Sequence, residues 1–219
     1  MNYEMNFELL QPWSTFVMKT QLPPPILEKM IKISDEIVEN RAGKGDNVGA
    51  GQLEEQFHLP LEILEQEEVM GFFLDIMKHY ITEAYLQSEP FRREEIINES
   101  WNIHTATMWI NSQKDNEYFP SHFHERCALS SVMYLKIPEY LPSRISYGNI
   151  EEDGSIEFSG LAHAFQLWGV PQMTIQPRVG DFFIFSAHQY HQVYPFRTPD
   201  GKGERRSVSF NADFSREKN

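Results

Sequence analysis

The stretch FPSHFHERCALSSVMYLKIP, Phe119–Pro138, decides how this chain is read: two histidines two residues apart lead into a run of apolar and β-branched residues that ends at a proline. Such a run, closed by a breaker, carries the signature of a β-strand. In extended backbone, residues i and i+2 project to the same face, so His122 and His124 can converge on one point. The spacing fits a shared metal, and it fits equally an alternation of surface residues. The choice between the two rests on whether a further ligand exists elsewhere in the chain.

Working outward, the same strand-like composition runs from Asn98 almost to the end, in WNIHTATMWIN, ALSSVMYLKI, SRISYGNI, GSIEFS, FQLWGV, QMTIQP, GDFFIFSA, HQVYPF and RRSVSFNADF, each bounded by Pro, Gly, Asn or Asp. Eight or nine short strands predict a sandwich or a barrel. The first 97 residues read differently. NFELLQPWSTFVMKT supplies one opening strand, and PPP marks the entrance of a helix whose Ile26, Leu27, Met30, Ile31, Ile33 and Ile37 fall near helical spacing. After the polar loop GKGDNVGAGQ, the segment LEILEQEEVMGFFLDIMKHYITEAYLQ predicts one long or two short helices whose aromatic and methionine residues belong to a core. The expectation is α+β, a single domain over residues 1–219, with 1–97 a mainly helical support and PEYLPSRISYGNIEEDGSIEFSGLAHA an inserted loop region.

Composition narrows the function classes. A length of 219 residues buries a core without staples, and 19 basic against 32 acidic side chains give a formal charge of -13. That charge argues against nucleic acid or an anionic membrane surface as a partner. The lone Cys127 makes no internal disulfide, the start MNYEMNFELLQPW does not read as a signal peptide, and no apolar run nears the roughly 20 residues of a membrane span. A soluble, cytoplasmic protein is expected.

Of the eight histidines, His58, His79, His104 and His163 read as ordinary surface or structural residues. GDFFIFSAHQYHQVYPF is different, because an apolar strand leads straight into His188 and His191, of which one is expected to face inward. Two or three imidazoles on a rigid β scaffold suit iron, zinc, copper or nickel and leave positions open for substrate, as a catalytic site requires. Fourteen residues after His191, RRSVSFN places Arg205 and Ser207 on one strand face and Arg206 on the other. A buried guanidinium beside a hydroxyl is a fork for a carboxylate. Trp109, Tyr118, Phe119, Trp168 and Tyr190 are candidates to line a pocket, although aromatics in a β fold are more often core.

Taken in order, His-x-His, a Tyr-Leu strand, the turn into a strand at PRVGDFFIF (Pro177 to Phe185), a distal His and Arg-x-Ser resemble the Fe(II)/2-oxoglutarate-dependent dioxygenases over about residues 100–214, and more narrowly the small, mostly uncharacterised 2-oxoglutarate oxygenases of bacteria and phages. The resemblance implies a double-stranded β-helix, or jelly roll, as the catalytic core of residues 98–214 with the N-terminal helices packed on it. It also implies Fe(II) with 2-oxoglutarate as co-substrate, converted to succinate and carbon dioxide as a C–H bond of a small molecule or protein side chain is hydroxylated. Carried over by position, the metal histidines are His122 and His191, the arginine for the distal carboxylate is Arg205 with Ser207 beside it, and the co-substrate tyrosine is Tyr134. Most of the superfamily has a carboxylate where this chain has His124, so the third ligand is His124, favoured, or Glu125 reached through a bulge. His188 stands as the alternative to His191. Two other readings stay open: a cupin-like isomerase or dioxygenase without 2-oxoglutarate, and a non-catalytic jelly roll.

Overall fold

The structure, a computed structural model, describes residues 16–45, 53–142, 152–160 and 172–217. The stretches SRISYGNI and FQLWGV, His163 and Trp168 lie outside the described residues. The described chain runs β1 (Met18–Gln21), α1 (Pro24–Glu39), β2 (Gln56–His58), α2 (Leu61–Gln66), α3 (Met70–Ser88), α4 (Arg93–Ile97), β3 (Trp101–Lys114), β4 (Phe119–His122), β5 (Leu129–Lys136), β6 (Ile156–Ser159), β7 (Gln172–Ile175), β8 (Asp181–Ser186), β9 (His191–Val193) and β10 (Glu204–Arg216).

The strands form two antiparallel sheets. Six strands lie in the order β1-β8-β5-β10-β3-β2 and four in the order β4-β9-β6-β7. One face of the large sheet carries the helices and the other looks toward the small sheet, which is the jelly-roll arrangement with helices packed on it. Side-chain alternation builds this directly. On β8, Phe182 and Ile184 join the cluster with the helices, while Phe183 and Phe185 join the cluster between the sheets. On β10, Val208, Phe210 and Ala212 face the helices, whereas Arg205, Ser207, Ser209 and Asn211 line a cavity between the sheets. Strands covered on both faces read as continuous apolar runs, which is why DFFIFS looks uniformly greasy.

Pro24 and Pro25 start α1 with the φ a first helical turn needs, and its buried Met30, Ile33, Ser34 and Ile37 fall on one stripe. In α3, Phe73, Met77, Tyr80 and Ile81 are buried against the large sheet. The Phe73 ring meets Phe182 edge-on at 5.9 Å and Phe210 at 5.8 Å. Two strands are long rather than short, β3 with 14 residues and β10 with 13. The second helical segment resolves into short α2 and long α3, broken at Glu68, whose φ of 57° ends a helix.

The sequence reading missed β2, hidden between the polar loop and α2. It extends the large sheet at its edge beside β3, burying Phe57 toward the core and placing Gln56 on the cavity.

Because Phe73 joins α3 to two strands at once, we expect Phe73→Ala to destabilise the protein by about 3–5 kcal/mol, the usual cost of emptying a packed phenylalanine site. Urea denaturation with an unchanged slope checks it, and a loss under about 1 kcal/mol would mean that α3 contributes little to the core.

Candidate metal centre

Three histidines meet at one end of the inter-sheet cavity. One ring nitrogen from each of His122, His124 and His191 lies within 4.8 Å of the other two. His122 and His191 are opposite partners on β4 and β9, so the sheet itself brings their side chains together. β4 has one residue more than β9 between Phe119 and His122, an irregularity that spans Pro120 and Ser121, and the missing N–H of Pro120 suits an interrupted ladder. His124 arrives by a different route from the one its spacing predicts. β4 ends at His122, and His124 sits in the following loop, whose backbone is pinned by the His124 N–H donating to the Ala187 carbonyl at 2.8 Å. Convergence therefore comes from a loop tied to the β8–β9 turn and not from one strand face.

The ring orientations fit metal ligation. Nδ1 of His122 is 2.7 Å from the Pro120 carbonyl and Nδ1 of His191 is 2.9 Å from the Gln189 carbonyl. A carbonyl only accepts, so both Nδ1 atoms carry the proton and both Nε2 lone pairs are left bare. Burial disfavours the charged imidazolium and lowers His122 despite its bond to the Pro120 carbonyl, and burial together with repulsion from the neighbouring rings takes His124 to about 4 and His191 to about 3. Neutral imidazole is the form a metal needs. Glu125 borders the cavity but contributes no donor to the group of three, and His188 is exposed on the β8–β9 turn, its ring beside Phe123.

The cavity, of about 260 Å³, extends from the histidines to Arg205. Arg205 is only 2% exposed, and it donates to the Gly154 carbonyl and to Gln113 Oε1, both neutral. Its Nε has no partner among the described residues, and neither does the hydroxyl of Tyr134, which is 1% exposed with its ring 5.4 Å from the guanidinium. Burial raises that phenol to about 12, so it is a proton donor at neutral pH. Gly154 is required where it sits: its φ is +71°, and a Cβ would stand 2.4 Å from the Tyr140 ring. Arg206, one residue on, has the opposite fate, with Asp35 of α1 and Glu204 at 2.7 Å as anionic partners. Burial alone would raise Glu204, but Lys136, Arg206 and Ser112 outweigh it and hold the carboxyl at about 2.

Ser207, Trp109 and Phe119 line the cavity as expected, while Tyr118 does not and Tyr190 is half exposed against Phe123. Sequence reasoning missed Gln56, Asn111, Gln113 and Asn211. Gln56 donates to Asn111 Oδ1 at 2.8 Å, and Asn111 reaches Ser207 and Ser209 at 3.4 and 3.3 Å. The alternation that selected Arg205 and Ser207 extends to Ser209 and Asn211, whereas the β3 residues needed the pairing register.

Residues 107–211 match the family described as "Putative 2OG-Fe(II) oxygenase". Among solved structures, an oxidoreductase of the 2OG-Fe(II) oxygenase family from Burkholderia pseudomallei is similar at 13% identity and a TM-score of 0.51, over 89% of this chain and 84% of the other. A prolyl-4-hydroxylase from Pseudomonas putida is similar at 14% and 0.53, over 89% and 91%. A prolyl hydroxylase from Trichoplax adhaerens, in complex with a hypoxia inducible factor peptide fragment, is similar at 8% and 0.51, over 91% and 83%. At these identities the likeness is one of fold. No curated protein matches the sequence.

Free histidine titrates near 6.5, whereas the buried rings stay neutral to about 4 and 3. Between those values the unfolded chain binds more protons, so stability must fall as pH drops below about 6.5, by at most about 1.4 kcal/mol per pH unit for each histidine. We expect metal-free protein to lose urea resistance between about pH 7.5 and 5, and His124→Gln with His191→Gln to flatten that dependence. An equal pH dependence in parent and double variant would show that these rings are not desolvated.

Proposed function

We propose that this chain, whose residues 107–211 match the family described as "Putative 2OG-Fe(II) oxygenase", is an oxidoreductase that uses Fe(II) with 2-oxoglutarate as co-substrate to hydroxylate a C–H bond of its substrate. The observation that carries this reading is the contrast between two adjacent arginines. Arg206 is neutralised by two carboxylates, while Arg205, equally buried, has only neutral partners among the described residues and opens on the cavity that holds the three histidines. A buried cation without an anion is costly, so the cavity is built to receive one. A cupin-type reaction without 2-oxoglutarate leaves that cation unanswered.

In this reading His122, His124 and His191 hold the metal through three neutral nitrogens. When bound, Fe(II) and 2-oxoglutarate supply the oxidising chemistry, in which dioxygen is consumed, 2-oxoglutarate becomes succinate and carbon dioxide, and one oxygen atom enters the substrate. Arg205 takes the distal carboxylate, its plane fixed by Gly154 and Gln113. The Tyr134 hydroxyl donates to the same anion, and Ser207 flanks it on the shared face. Val132, Ile156, Phe185 and Val193 give the cavity an apolar lining, with Phe185 4.8 Å from the His191 ring, and such a lining strengthens each charged contact inside it. Trp109 and Phe119 stand on the histidine side, Trp109 6.0 Å from His124 and Phe119 5.9 Å from His122, where substrate would enter.

Alanine at His122, His124 or His191 is expected to weaken Fe(II) binding by more than the roughly 10–100-fold typical of residues behind the ligands, with Glu125→Ala near the parent. Metal content and an anaerobic Fe(II) titration check this. Full occupancy in the His122 and His191 variants removes the site, and a loss confined to Glu125→Ala makes the third ligand a carboxylate.

Lysine does not reproduce a guanidinium's parallel bonds, so Arg205→Lys is expected to lose one charge-assisted bond, about 1.5–3 kcal/mol, and hence about 10- to 150-fold in 2-oxoglutarate affinity with Fe(II) retained. Arg206→Lys should bind 2-oxoglutarate as the parent does. An anaerobic titration followed by visible absorption compares them, and unchanged affinity in the Arg205 variant sinks the co-substrate assignment.

A further inference from the structure

We infer that Asn211 is the positioning residue for His124: its side-chain carbonyl accepts the Nδ1–H of His124 and thereby turns the bare Nε2 toward the metal. The inference rests on the reading above in which His124 is a ligand. His122 and His191 have their tautomers set by backbone carbonyls two residues back, Pro120 and Gln189. Among the described residues no carbonyl bonds to the His124 ring in this way. The group facing its Nδ1 is the amide of Asn211, at 3.5 Å.

That amide stands with Nδ2 toward the ring and with Oδ1 buried and without a hydrogen-bond partner among the described residues. If Nδ2 donates, Nδ1 must be the bare nitrogen, and the proton then sits on Nε2, the atom a metal requires. Turning the amide end for end about its last bond exchanges its oxygen and nitrogen without moving the side chain, and hydrogen bonding alone decides between the two. Turned, Oδ1 meets Nδ1–H, the unsatisfied oxygen gains its donor, and all three histidines share one tautomer. The change gives the buried acceptor a donor and brings the third histidine into line with the other two, with the amide NH2 taking the oxygen's former place.

The backbone is shaped at this point as well. The register of β10 against β3 slips between Asn211 and Ala212, where β3 carries one extra residue between Thr105 and Thr107. Bulges beside active sites re-aim a side chain, and this one lies at the residue that meets His124. Asn211 also closes the RRSVSFN motif, whose Arg and Ser have roles above while its Asn had none. A carboxylate in place of His124 would need no tautomer set. A third histidine held in a loop, away from strand carbonyls, does.

The test uses the full chain loaded with Zn(II), a diamagnetic stand-in, with histidine protonation read from long-range 1H–15N spectra. The parent is expected to show His124 coordinated through Nε2 with a slowly exchanging Nδ1–H. Asn211→Leu, similar in size but with no acceptor, should lose that protection and bind Zn(II) about 10–100-fold more weakly, the usual cost of removing a group behind a ligand. Asn211→Asp, which keeps an acceptor in place, should restore both. Parent-like affinity and a protected Nδ1–H in Asn211→Leu overturn the inference. Should that variant not fold, a rapidly exchanging Nδ1–H in the parent overturns it equally. His124 left uncoordinated while His122 and His191 bind zinc is a distinct result, and it overturns the three-histidine reading itself.

Discussion

The pairing of β10 between β3 and β5 is the constraint on which the rest of the molecule depends. It forces alternate residues of one strand into two unlike environments. Val208, Phe210 and Ala212 complete the core under the helices, and Arg205, Ser207, Ser209 and Asn211 furnish the cavity. A slip of one residue would bury the cavity set among phenylalanines and bring the apolar set to the metal, so packing and site stand or fall together.

The two arginines make the same point in electrostatic terms. Arg206 faces α1 and ends in a network with Asp35 and Glu204, and Lys136 joins at 2.8 Å from Glu204. A buried cation so paired is a structural element that ties the helical layer to the sheet. Arg205 is held in place by a glycine carbonyl and a glutamine, groups that orient a guanidinium without neutralising it. At the other end of the cavity the histidines are kept neutral by burial and mutual repulsion. Among the described residues no carboxylate pairs with Arg205, and Glu125, which borders the cavity, contributes no donor to the histidine group, so an entering anion finds the guanidinium unneutralised.

Much of this was legible in the residues. His122, His191, Arg205, Ser207 and Tyr134 fall in motifs whose order and spacing pointed to one cavity, and all five line it. The helices announced themselves through prolines and a stripe at helical spacing, and β8 through a run of phenylalanines. β2 did not, because three residues beside a Gly-rich loop carry too little periodicity. Gln113 and Asn111 could not be found from spacing, since their place beside Arg205 and Ser207 follows from the β3–β10 register.

The sequence by itself determined which residues have the chemistry for a metal and an anion, and which face of a strand each would share, because alternation in an extended chain is local geometry. Only the tertiary structure decided that β4 and β9 set His122 opposite His191, that a loop hung on Ala187 brings in His124 in preference to Glu125, and that among the described residues Arg205 has no carboxylate partner while Arg206 has two. Those outcomes turn on contacts between segments far apart in the chain, such as Asp35 with Arg206 and His122 with His191, and burial and charge pairing are properties of such contacts rather than of any stretch of chain.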